Sequence, residues 1–215
     1  MGRPLRILQT EFPYHLTCRT NNRTFRFHQR QFTKLFFRAV VQSTKKYNLL
    51  VHHIVLMNNH YHIIATATEK NLHRAMQYIN SRVAVRYNKL TGRSGHLWGD
   101  RYKSCIVSTD EYYTACVRYI YRNPIEAGMV DDLKDYPDSS LQFLAFGRKV
   151  EVILTPDHLV IRFKRNNHKL REYFRLLVLD EQTPIPDTMV QKELRGLFFG
   201  PADFIQQMQR THLGM

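Results

Sequence analysis

The sequence predicts an α+β fold: a ferredoxin-like antiparallel sheet packed with helices, followed by a C-terminal extension. Three observations carry that prediction. Runs of strand character and runs of helical period follow one another as strand, helix, strand, strand, helix, strand, helix, the split β-α-β-β-α-β order with one helix added. The two central strands are parted only by "NN", which suits a tight antiparallel hairpin. The chain has 215 residues, 43% of them hydrophobic and 12% aromatic, enough for one main core.

Residues 14 to 20, "YHLTCRT", alternate well enough for a first strand, and "NNR" offers a turn after it. From Phe32 the apolar positions Leu35, Phe36, Ala39 and Val40 recur at helical spacing, which predicts a helix to about Tyr47. Residues 50 to 57 and 60 to 67 are β-branched and apolar, and pair as the hairpin. In "NLHRAMQYINSRVAVRYNKLTG" an Asn can cap, Leu72, Met76, Ile79, Val83 and Leu90 share a face, and a Gly suits the helix end. Residues 102 to 108, "YKSCIVS", predict a fourth strand, and "TDEYYTACVRYIYRN" a helix capped by Thr109 or Asp110 and stopped at Pro124.

The last third is read more coarsely. "VEVILTPDHLVIRF" predicts a further hairpin, residues 168 to 179 a helix, "DEQTPIPD" a loop and "GPADFIQQMQRTHL" a short terminal helix. The expected boundary divides residues 1–148, the main domain, from 149–215, an extension without an assigned role. No internal repeat is present.

Charge narrows the function. With 32 Lys plus Arg against 18 Asp plus Glu, the formal charge is +14, which favours a polyanionic partner. The cations alternate with aromatic residues, as in "RTNNRTFRFHQRQFTK", a mixture that suits single strands whose phosphates meet cations and whose bases stack. No apolar run approaches the roughly 20 residues of a membrane span, so no membrane partner is expected. Cysteines 18, 105 and 116 lack metal or redox spacing. They read as reduced thiols, and nothing resembles an export signal, so a cytoplasmic location is expected.

Chemistry enters at "NNHYH", residues 58 to 62. On a strand His60 and His62 point to one side and Tyr61 to the other, which makes the imidazoles a good half of a metal site. With 11 histidines the pair also arises by chance about half the time, and a polar strand end reads equally well. A second constellation lies in "CVRYIYRNPIEAGMV". A step of about 100° per residue puts Tyr112, Ala115, Tyr119 and Asn123 on one helical face and Tyr113, Val117 and Ile120 on another. Tyr119 as nucleophile and the Asn123 oxygen as ligand could then meet the histidines. An aromatic packing helix explains the same pattern, and Tyr121, nearly opposite Asn123, is the poorer nucleophile.

The blocks "MNNHYHIIA", "GRSGHLWGDRYKS" and "YIYRNPIEAGMVDDLKDYPDSS" resemble, in order and spacing, those of the HUH single-tyrosine transposases, especially the REP-associated tyrosine transposases. The resemblance spans about residues 10 to 145. It implies a ferredoxin-like catalytic domain, a metal pair at His60 and His62, a nucleophile at Tyr119 and a third ligand at Asn123. It also implies Mg2+ or Mn2+, whereas two imidazoles and an amide on ligand preference suit manganese or zinc. The implied activity is cleavage and rejoining of single-stranded DNA at hairpins or palindromic repeats through a 5′-phosphotyrosine, by a monomer or a homodimer. Arg101, Lys103, Arg118 and Arg122, the cations nearest in sequence, are the expected phosphate contacts, though each also reads as a surface cation. Trp98 could stack a base or anchor the core. The competing readings are a host-adapted hairpin-binding protein with little strand transfer, and a replication initiator or relaxase.

Overall fold

The computed structural model describes residues 6–108, 110–180 and 184–214. In chain order its elements are β1 (Tyr14–Arg19), α1 (Arg30–Tyr47), β2 (Leu49–Leu56), β3 (His60–Ala67), α2 (Leu72–Thr91), β4 (Lys103–Val107), α3 (Glu111–Glu126), α4 (Leu141–Leu144), α5 (His158–Ile161), α6 (Asn167–Leu179), α7 (Asp187–Glu193), β5 (Phe198–Phe199) and α8 (Ala202–Leu213). The sheet order is β2-β3-β1-β4-β5. Its first four strands are antiparallel in the ferredoxin-like arrangement, and β5 joins the edge parallel to β4, with Phe198 opposite Ile106.

Strand alternation builds two cores. Tyr14, Leu16, Tyr61 and Ile63 pack with Phe36 and Val40 of α1 and Met76 and Ile79 of α2. On the opposite face Ile64 and Val107 pack with Val117 and Ile120 of α3 and Phe174 of α6. The extension contributes to both, through Phe204 and Met208 to the first and Phe174 and Val190 to the second.

The central hairpin closes over Asn58 and Asn59, with Met57 N–H donating to the His60 carbonyl at 2.8 Å. α2 ends at Gly92 in the left-handed region (φ 63°), where its N–H caps the Asn88 carbonyl. Asn71 stands at the other end, but its side chain donates to Tyr47 and Glu69 instead of capping. α3 continues through Pro124 to Glu126; proline removes only its own N–H, and the turn closes through Ala127 N–H to the Asn123 carbonyl.

The last third departs from expectation. Residues 150 to 163 form no hairpin: Asp157 accepts from Val160 N–H and starts the single turn α5, while Thr155 N–H donates to the Val51 carbonyl. α7 and β5 were hidden, because a seven-residue helix and a two-residue strand show no measurable period. Thr109 and residues 181 to 183 of the expected loop lie outside the described residues.

A β-bulge at His52 shifts the register of β2. Leu49 and Val51 face the α1–α2 core, and so do Ile54 and Leu56, so the extra residue turns His53 to the α3 side. There His53 Nδ1 meets the Tyr121 hydroxyl at 2.7 Å and Nε2 meets Asp157 at 2.6 Å, and the Tyr113 hydroxyl donates to the same carboxylate at 2.5 Å. This buried network ties β2, α3 and the extension together.

Candidate active site

β3 begins at His60, so its two-residue period sends His60 and His62 to the α3 face while Tyr61 enters the α1–α2 core, donating to Asn80 at 3.0 Å. Arg19 stands opposite His60, and Thr17 stands opposite both His62 and Lys103. Cross-strand partners share a face, so two exposed cations, Arg19 and Lys103, flank the histidines across three strands.

The two imidazoles lie edge to face, with ring centroids 4.9 Å apart. His60 Nδ1 is 2.7 Å from the Asn59 side-chain oxygen, an acceptor, so Nδ1 carries the hydrogen and Nε2 is bare. His62 Nδ1 is 2.8 Å from Nε2 of a third histidine, His15 on β1, and His62 Nε2 is buried without a partner. Burial, helped by the Arg19 charge, lowers the His60 pKa to about 4; burial, with His60 next, takes His62 well below the ordinary value. Both are therefore neutral near pH 7, with lone pairs to give.

α3 brings the tyrosine. Tyr113, Val117 and Ile120 bury against the sheet, which leaves Tyr119 half-buried with its ring 5.8 Å from that of His62, centroid to centroid, at 85°. One turn on, Asn123 Nδ2 donates to the Tyr119 carbonyl at 2.8 Å. The phenol's pKa is raised by burial, an effect partly offset by side-chain hydrogen bonds with Asn123 and with Gln191 of α7. The fold thus joins His60, His62, Tyr119 and Asn123 in one run of contacts. Tyr121 is excluded by geometry: it is 1% exposed and held by His53 and Ser140.

Among the described residues no three His, Cys, Asp or Glu side chains gather as a metal centre. The donor set here is two neutral imidazoles and an amide. A buried ring nitrogen without a partner costs about 1–3 kcal/mol, and His62 Nε2 is such an atom, so the residues fit a divalent cation.

Of the four expected phosphate contacts, Arg101 and Lys103 are exposed, Lys103 on the histidine face. Arg118 and Arg122 are placed otherwise. Arg118 is 4% exposed and donates to Asp187 at 2.6 Å and to the Asp180 carbonyl at 2.9 Å; Arg122 donates to the Val178 carbonyl and pairs with Glu126 and Asp187. Their charge is spent on holding the extension to α3. Trp98 is an anchor: its Nε1–H donates to the Asn80 carbonyl and its ring packs on Phe27 and Tyr61. His15, Arg19 and Gln191 escaped the sequence reading, since each reaches the site through strand register or tertiary packing. The only local signal was the shared strand parity of His15, Thr17 and Arg19.

Comparison with known proteins bears on the same region. The family model described as "Transposase IS200 like" matches residues 9–123, which include all four residues of the cluster. A solved REP-associated tyrosine transposase, bound to a REP hairpin, is 19% identical and superposes with a TM-score of 0.58 over 73% of this chain and 93% of that one. A transposase structure from Deinococcus radiodurans R1 is 16% identical over 60% of this chain and 94% of that one, with a TM-score of 0.39. No curated protein matches significantly. The solved relative supports the α+β fold, and the family match covers more than half of the sequence: the chain belongs to the IS200-like transposase family.

Proposed function

We propose that this transposase cleaves and rejoins single-stranded DNA at hairpin-associated sites, with Tyr119 as nucleophile and residues 1–148 as the catalytic unit. The observation that carries the reading is the half-buried Tyr119 phenol against His62 of the His60–His62 pair. His60, His62 and the Asn123 oxygen hold a divalent cation, Mg2+ or Mn2+. When bound, the ion polarises the scissile phosphate and offsets the charge gathering on its oxygens.

Tyr119 Oη attacks phosphorus, a Tyr–O–P bond forms, and the bond to the 3′-oxygen breaks. The products are a 5′-phosphotyrosine and a free 3′-hydroxyl, and the phosphoester bond is retained, so a second 3′-hydroxyl reverses the step on another strand. Because burial raises the phenol's pKa, its proton must leave during attack. Arg19 and Lys103 hold the DNA backbone beside the histidines, with Arg101, exposed just before β4, as a further contact. A REP-like hairpin is the proposed substrate, in keeping with the hairpin bound by the solved relative.

Incubation with an end-labelled single-stranded hairpin and Mn2+ tests this. A denaturation-resistant protein–DNA adduct that Tyr119→Phe abolishes is the expected result. Hairpin binding with no adduct across substrates and metals would overturn it in favour of a binding protein.

A further inference from the structure

His15 Nδ1 and His62 Nε2 are both buried without partners, at the two outer ends of a bonded imidazole pair. Two neutral imidazoles carry two ring protons over four nitrogens. One proton lies in the 2.8 Å bond between His15 Nε2 and His62 Nδ1; the other must sit on His15 Nδ1 or on His62 Nε2. If His62 donates, its Nε2 is bare and His15 Nδ1 is protonated. If His15 donates, His62 Nε2 carries a hydrogen and cannot ligate.

We propose that His15 is a positioning residue: it accepts the Nδ1–H of His62, fixing the ring and the tautomer that presents Nε2 to a divalent cation. The proposal rests on the site reading above. Asn59 does the same for His60, whose Nδ1 donates to the amide oxygen at 2.7 Å, so both ligand rings are held in one tautomer by different acceptors. His15 is suited to hold the angle, being 2% exposed on a strand paired on both sides, by β3 and by β4. It stands opposite Ile64, one diagonal step from His62, so its reach is set by register. Outer-shell acceptors of this kind change metal affinity by about 10–100-fold when removed.

The test compares the whole chain with His15→Gln, which retains an acceptor oxygen, and His15→Leu, which does not. Mn2+ affinity is read from the electron paramagnetic resonance of free Mn2+, and the His62 tautomer from ring 15N shifts of the metal-free protein. The expected results are an Nδ1–H His62 in the wild type and in His15→Gln, Mn2+ binding by His15→Gln within about threefold of wild type, and binding about 10–100-fold weaker in His15→Leu. Unchanged affinity in His15→Leu, or equal losses in both variants, overturns the proposal. His60→Ala separates the levels: if it abolishes binding while His15→Leu does not weaken it, only the role of His15 fails. If His60→Ala leaves Mn2+ binding intact, the site reading fails as well.

Discussion

Tyr119 gains its character from where three neighbours put it. A phenol on an exposed helix face would be free but undirected; here the ring stands edge to face with His62, and the side chains of Asn123 and Gln191 partly offset the rise in pKa that burial causes. The cations obey the same local logic. Lys103 and Arg19 are exposed on the histidine face, so Lys103→Ala should weaken single-stranded DNA binding and lower the slope of log affinity against log salt by about one. Arg19→Ala should act likewise, and fluorescence anisotropy across a salt series measures both. That His60 and His62 share one face of a strand, and Tyr119 and Asn123 one face of a helix, was legible in the sequence because i, i+2 on a strand and i, i+4 on a helix are local geometry. His15 and Arg19 were not, because which residue of β1 faces which residue of β3 depends on a register that no local pattern states.

α3 is the element on which the site and the extension meet. One face carries Tyr119 and Asn123, while Arg118 and Arg122 bind Asp187 and the carbonyls that end α6. Sequence proximity to Tyr119 suggested phosphate contacts; a step of about 100° per residue turns Arg118 away from its neighbour, and only the folded extension reveals its partner. Arg118→Ala should therefore cost stability, on the order of 1.5–3 kcal/mol, because it removes a hydrogen-bonded guanidinium from the partly buried Asp187 carboxylate and leaves it only the longer contact to Arg122. DNA affinity per folded molecule should stay within about threefold of wild type, since Arg118 faces the extension and not the histidine face. Calorimetry and anisotropy on the same sample separate the two. The strands and long helices of the first 126 residues were readable because their periods run for several turns or pairs. The segment 150 to 163 misled because its alternation of Val, Ile and Leu looks like a hairpin, whereas Asp157 is claimed by His53 and Tyr113.

Across the whole molecule, buried titrating groups couple the site to stability. Burial would raise the Asp157 carboxyl, but His53, together with the Tyr113 and Val160 donors, holds it well below the usual carboxylate range. The unfolded chain therefore takes up that proton first, and the contribution is full above about pH 4 and lost below it. His60 at about 4 and His15 at about 3, both lowered mainly by burial, act in the same direction from a higher start. Their unfolded forms protonate near pH 6.5, so in the metal-free protein stability should fall steadily from about pH 6.5 towards pH 3. Asp157→Ala should lower the melting temperature at pH 7 by roughly 6–12 °C, since it strands two buried donors at about 3 kcal/mol. The central claim is that one tyrosine of the four on α3 carries the DNA. Trapping the adduct on a single-stranded hairpin with Mn2+, digesting both partners and locating the nucleotide by mass spectrometry tests it most directly. A 5′-phosphonucleotide on Tyr119 is the predicted result; its appearance on Tyr112, Tyr113 or Tyr121, or the absence of any modified peptide, would contradict the account.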